Sequence, residues 1–141
     1  HEEQTYLHGV CKGQPAALRA GKQQKKAGKV AFDWPDLAGV LSKIEEEFQE
    51  VKDELPPVGA GATPALEAEV GDLLFSVVNL ARKLGIDPEA ALEGANVKFA
   101  DRFAAMEKGL LEEGRSLEEA SLGEMEHGWE RAKASVPGGS P

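Results

Sequence analysis

The sequence predicts an all-α chain, a four-helix-bundle-like fold with a short extra C-terminal helix. Apolar residues recur at three- and four-residue intervals over long stretches, and strand-like alternation is absent at any useful length. Ala, Leu, Glu and Lys are abundant while aromatic residues make up only 6% of the chain, a composition that favours helices. The breaks between periodic stretches are short and rich in Pro, Gly and capping residues, so consecutive helices are expected to pack as bundle neighbours.

Residues 1–14 are polar and irregular and read as a poorly ordered lead-in. Pro15 suits the first turn of a helix over residues 16–29, which carries Arg19, Lys22, Lys25, Lys26 and Lys29, mostly as a solvated face. Asp33 before Trp34-Pro35 has the form of an N-cap, with the second helix over residues 35–55. Residues 56–62 form a Pro/Gly/Ala loop. Thr63-Pro64 opens a third helix that reaches Leu84, with Gly85 just past its end. Asp87-Pro88-Glu89 starts a fourth helix that stops at Gly114, and Ser116 to Glu119 has capping-box form. A last helix covers residues 123–134. Residues 15–135 are thus expected to form one domain, with 136–141 a flexible tail.

Helix three is the most apolar. Leu66, Val70, Leu73, Leu74, Val77, Val78, Ala81 and Leu84 cover about half its circumference, so it is expected to be central or buried against a second subunit. Leaving that face in water costs about 25 cal/mol per Å². A homo-oligomer is expected, a dimer first.

The formal charge of −9 on 141 residues argues against a nucleic-acid surface. It leaves a nucleotide substrate open, because a metal ion and local Lys/Arg reverse the local potential. The single cysteine, Cys11, excludes an internal disulfide framework and fits a reducing compartment. No apolar run has membrane-span length and no signal-peptide core is seen, so the cytoplasm is expected. A start at His1 rather than Met is expected of a processed or excised piece.

Two acidic pairs stand out, Glu47-x-x-Glu50 and Glu69-x-x-Asp72. In helix two, Ile44, Phe48, Val51 and Leu55 make an apolar stripe, and in helix three Leu66, Val70, Leu73 and Val77 do the same. Each acid pair falls roughly 60° and 120° to one side of its stripe. Helices packed by those stripes would bring four carboxylates together, which repel and raise each other's pKa unless a cation joins them. Oxygen ligands alone suit Mg²⁺ or Mn²⁺ rather than Zn²⁺. The bland alternative is a solvated acidic face. Glu45 reads as surface, and Glu46 reaches either the edge of the site or only solvent.

The run Glu46-Glu47-Phe48-Gln49-Glu50 with Glu69-Val70-Gly71-Asp72 resembles the E-E-x-x-E … E-x-x-D signature of the all-α nucleoside triphosphate pyrophosphohydrolases. The words KVAFDW (29–34), EVGDLLFSVVNLARKLGIDPEAAL (69–92) and ANVKFADRF (95–103) resemble MazG, above all the catalytic C-terminal half of tandem MazG proteins, over residues 17–133. The resemblance implies hydrolysis of a nucleoside triphosphate between its α- and β-phosphates. It implies Mg²⁺ held by Glu47, Glu50, Glu69 and Asp72, and substrate contacts from Lys43, Lys98, Arg102 and Trp129. On residue type alone, Lys98 and Arg102 are an ordinary basic face, and Trp129 is equally a core or cap residue. Glu46 is a candidate to orient or deprotonate the attacking water, or else supports the ligands. Asn79, further along the polar flank of helix three, and Asn96, before Lys98, are expected near the pocket wall. Asp101 stands where relatives often carry a basic residue, and the 56–62 loop is consistent with a lid. Two alternatives stay open: a dimeric dUTPase-type or phosphoribosyl-ATP pyrophosphohydrolase relative, and a helical module that holds nucleotide without turnover.

Overall fold

The computed structural model describes residues 4–10 and 12–135. Five helices follow in order: α1 (Ala16–Gly28), α2 (Leu37–Asp53), α3 (Pro64–Lys83), α4 (Pro88–Glu112) and α5 (Leu122–Ser135). No strand occurs among the described residues. The expectations for Cys11 and for the 136–141 tail lie outside the described residues. No described helix is long and apolar enough to cross a membrane. The chain forms two compact units, His1–Glu89 and Ala90–Pro141.

In the first unit α3 packs against both α1 and α2, the central role its apolar content predicts. Its start is fixed locally: Thr63 Oγ1 accepts from the Leu66 amide at 3.1 Å and Pro64 occupies the first turn. Gly85 follows its end at φ 73°, a conformation glycine adopts freely. Helix α2 departs from expectation. Its N-cap is Asp36, whose carboxylate accepts from the Gly39 amide at 3.0 Å, so the helix begins two residues later than predicted and ends at Asp53. Asp33 is used otherwise. It accepts from the Trp34 amide at 2.8 Å and takes a forked ion pair from Arg82 at 2.7 and 3.2 Å. That pair fastens the α1–α2 connection to the end of α3. Lys83 adds a hydrogen bond from Nζ to the Trp34 carbonyl at 2.8 Å.

The buried positions of the α2 and α3 seam are Val40 and Glu47 on one helix and Leu66 and Ser76 on the other. This is a correction to the predicted stripes. Phe48, Leu55, Val70 and Val77 are exposed, and Glu47 of the acidic flank is buried. Ser76 leaves room there, and its hydroxyl is satisfied by donating to the Asp72 carbonyl at 3.0 Å.

Ala31 reverses the chain after α1 at φ 67°, a left-handed conformation that costs an L-residue with a Cβ about 1–2 kcal/mol. The turn is held by the Phe32 amide donating to the Ala27 carbonyl at 3.1 Å. Ala31→Gly is therefore expected to stabilise the protein by about 1 kcal/mol in urea melts. A loss of stability would mean that the Ala31 methyl packs more usefully than its exposure implies.

In the second unit Met106 and Leu110 of α4 pack with Ala132 of α5, joined by Leu117, Ala120, Met125 and Trp129. Gly128 permits this approach, because a Cβ there would stand 3.0 Å from Met106 Cγ. Half of the Ser116–Glu119 capping box forms: the Glu119 amide donates to Ser116 Oγ at 3.3 Å, while Glu119 Oε1 accepts from the Ser116 hydroxyl at 2.7 Å rather than from its amide. A second box, unread in the sequence, starts α5: the Ser121 amide donates to Glu124 Oε1 at 3.0 Å, and the Glu124 amide to Ser121 Oγ at 3.1 Å.

Candidate metal centre

Three of the four predicted acids converge. Glu47, Glu50 and Glu69 each present a carboxylate oxygen within 4.8 Å of the other two. Heptad-like spacing brings this about, since Glu47 lies seven residues after Val40 and Glu69 seven before Ser76, all four on the buried side of their helices or at its edge. Asp72, one turn further along α3, is exposed and its carboxylate stands outside that group.

Glu47 is 4% exposed. One of its oxygens accepts from Lys43 Nζ at 2.8 Å, one helical turn back, and Lys43 also lies 3.6 Å from Glu46. The Lys43 hydrogen bond holds the Glu47 carboxyl below its ordinary range, and Glu47 in turn raises Lys43. Glu50 is pushed up to about 7, first by its hydrogen bond with Glu69, then by that with Glu47, then by desolvation. Glu47 Oε2 and Glu69 Oε2 are buried without a hydrogen-bond partner. Orphaned carboxylate oxygens and a carboxyl that resists ionisation mark a site short of positive charge. An oxygen-only donor set of this kind fits a hard divalent cation.

The remaining predicted residues fall elsewhere. Asn79 Oδ1 accepts from Arg82 Nε and Nη2 at 3.0 and 2.9 Å. Asn96, Lys98 and Arg102 lie on α4 and Trp129 on α5, in the second unit. Asn96 and Lys98 are exposed and Arg102 is half-buried. Trp129 packs on Phe99 with ring centroids 5.3 Å apart and lines a cavity of about 570 Å³ with Phe99, Phe103, Met106 and Met125. Trp129 is half-buried against the Met106, Leu110 and Ala132 cluster. Gln24, Trp34 and the Asp33–Arg82 pair escaped the sequence, because their partners lie 49 to 51 residues away with no local pattern to announce them.

An all-α chain that gathers carboxylates from two facing helices belongs to the class of helical proteins suited to a divalent cation. Residues 37–106 match the MazG nucleotide pyrophosphohydrolase domain. The chain is 45% identical over 119 residues to the nucleoside triphosphate pyrophosphohydrolase/pyrophosphatase MazG of Thermotoga maritima, an alignment covering 84% of this chain and 44% of that protein. It is 39% identical over 131 residues to the nucleoside triphosphate pyrophosphohydrolase of Escherichia coli K12, covering 93% and 49% respectively. The chain spans about half the length of the curated relatives it matches. It belongs to the MazG family.

Proposed function

We propose that this chain is a Mg²⁺-dependent nucleoside triphosphate pyrophosphohydrolase, acting on NTPs or dNTPs in the cytoplasm as part of nucleotide-pool house-cleaning. Water adds to the α-phosphorus, the α–β anhydride bond breaks, and nucleoside monophosphate and pyrophosphate leave. The observation that carries this reading is the carboxylate triad of Glu47, Glu50 and Glu69, with Glu47 buried, in a chain of this family. The names of both relatives point to the same reaction.

In this reading Glu47, Glu50 and Glu69 hold Mg²⁺, with Asp72 joining them from the next turn of α3, and Mn²⁺ able to substitute. When bound, the ion neutralises phosphate oxygens and favours ionisation of water. Glu46, on the exposed side of Lys43, orients the attacking water or takes its proton. Lys43 exchanges its carboxylate partners for a phosphate as substrate arrives. Lys98 and Arg102, four residues apart on α4, are basic groups of the type that bind phosphate. Asn79 contacts the rest of the nucleotide. The exposed Val70, Leu74 and Val77 of α3 support a homodimer.

The test is product analysis by ion-exchange chromatography of the purified protein with Mg²⁺ and a panel of NTPs and dNTPs. Monophosphate plus pyrophosphate is the expected result. Diphosphate plus phosphate, or no turnover with either Mg²⁺ or Mn²⁺, would overturn the reading. Sedimentation equilibrium tests the dimer separately.

A further inference from the structure

Arg82, near the end of α3, joins two side chains of different elements, Asp33 of the α1–α2 connection and Asn79 of its own helix. We propose that Arg82 is a positioning residue for the substrate: clamped by Asp33, it fixes the Asn79 amide so that the nitrogen is the end left to bind the nucleotide. The inference deepens the function proposed above and rests on the assignment of Asn79 to the nucleotide.

The guanidinium is engaged on both sides. Nε and Nη2 donate to Asn79 Oδ1 at 3.0 and 2.9 Å, and Nη1 and Nη2 donate to Asp33 Oδ2 and Oδ1 at 3.2 and 2.7 Å. Four of the five N–H groups of the arginine are thereby used, and a carboxylate already matches its charge. An arginine so committed is poorly placed to take a phosphate itself. What it can do is orient. A guanidinium only donates, so the end of the Asn79 side chain that faces it is the oxygen. Both Nδ2 hydrogens are left for an acceptor elsewhere, and a flipped amide would set donor against donor. A clamp that only fastened the α1–α2 connection would need Asp33 alone.

Three elements meet at this clamp. Lys83 Nζ lies 3.5 Å from Asp33 Oδ2 and donates to the Trp34 carbonyl at 2.8 Å. Gly28, the last residue of α1, leaves room for it, since a Cβ there would stand 3.3 Å from Asp33 Oδ2 and 3.9 Å from Arg82 Nη1. Asn79 in turn stands toward the carboxylates. It follows Asp72 by seven residues, two turns along the same face of α3 and about 10 Å at the helical rise. A cavity of about 110 Å³ is lined by both Asn79 and Lys43, and Lys43 is the partner of Glu47. A nucleotide whose phosphates sit at the acids has the rest of its length within that distance of Asn79.

Arg82→Lys is the test, because lysine keeps the charge and loses the fork. Binding of the α,β-methylene analogues of ATP, CTP, GTP and UTP is followed by isothermal titration calorimetry with Mg²⁺, beside kcat and KM for pyrophosphate release from the parent triphosphates. Arg82→Lys is expected to weaken the best-bound analogue and to raise KM, each at least about tenfold, with kcat within about threefold, since Asn79 touches the substrate away from the bond that breaks. Helical circular dichroism should be unchanged. Asp33→Asn is expected to move the same quantities in the same direction. In the Asn79→Ala protein, Arg82→Lys is expected to add less than about twofold, because the arginine acts through that one side chain. A residue that merely supported the fold would give losses that multiply. Parental binding by Arg82→Lys, a loss confined to kcat, or multiplying losses in the double variant would overturn the proposal. If Arg82→Lys loses its helical signal, Asp33→Asn with and without Asn79→Ala decides. Analogue binding that depends on Arg82 through Asn79, without hydrolysis of any triphosphate, would sink the hydrolase reading and uphold the positioning role. Hydrolysis with unaltered binding and KM in Arg82→Lys would do the reverse. Neither binding nor turnover by the parent protein would overturn both.

Discussion

Glu50→Gln is expected to lower pyrophosphate release at least about a hundredfold while leaving the helices intact. The amide keeps the volume of the carboxyl but takes one charge from the three oxygens that lie within 4.8 Å of each other. The same substitution is expected to make the metal-free protein more stable at pH 8, and the sign follows from the direction of the shift. Glu50 titrates near 7 in the fold, raised chiefly by Glu69 and then by Glu47, against an ordinary value of 4.5. Between those two values the folded chain binds more protons than the unfolded one, so metal-free stability falls as pH rises from about 4.5 to about 7. Glutamine has no proton to lose. The gap between variant and wild type should open over that window and close below it. Urea midpoints at pH 4 and pH 8 in EDTA measure it. A wild-type midpoint that rises across the window would mean that the three carboxylates do not share one site. Near-normal turnover by Glu50→Gln would remove Glu50 from the catalytic machinery.

What was legible in the sequence was local. Thr63-Pro64, Gly85 and Gly114 mark helix ends, because each satisfies or terminates a turn within a few residues. The convergence of Glu47, Glu50 and Glu69 was legible because a helix repeats every 3.6 residues, whereas Asp72, given the same facing by its offset, stands outside that group. The exact rotation of that facing was not. Val70 and Val77 belong to the apolar stripe of α3, yet Leu66, Glu69 and Ser76 occupy or border the seam. Periodicity finds the greasy side of a helix, but what stands opposite decides which edge of it is buried. Asp33 shows the same boundary between local and distant information. It has the composition of a cap, and only the arrival of Arg82 from 49 residues away assigns it to an ion pair and leaves the cap to Asp36. That pair holds the Asp33 carboxyl below the ordinary range.

Lys43→Ala is expected to reveal that the ammonium stands in for a cation when no metal is bound. Lys43 Nζ lies 2.8 Å from Glu47 Oε1, and Glu47 Oε2 has no partner at all. Removing the lysine takes the bonded ammonium away from a buried carboxylate. The full cost of breaking such a pair would be about 3–5 kcal/mol in a dry interior. The Lys43 side chain is 38% exposed and already shares water, so about 1–2 kcal/mol is the reasonable expectation. In the wild type, Glu47 is lowered by Lys43, so its contribution is present above its ordinary value of 4.5 and is lost as pH falls through the lowered one. The deficit of the variant should therefore be full at neutral pH and shrink in acid, where Glu47 takes a proton. Mg²⁺ reverses the comparison. A ligand at a hundred times its dissociation constant adds about 2.7 kcal/mol to any protein that binds it only when folded. In the variant that ion also supplies the charge that Glu47 has lost, and in the wild type it must compete with an ammonium already in place. The Mg²⁺-induced rise in melting temperature should accordingly be larger for Lys43→Ala than for the parent. Equal metal-free stability at pH 8, or an equal or smaller Mg²⁺ shift, would show that Lys43 is an ordinary surface lysine and that Glu47 finds its charge compensation elsewhere.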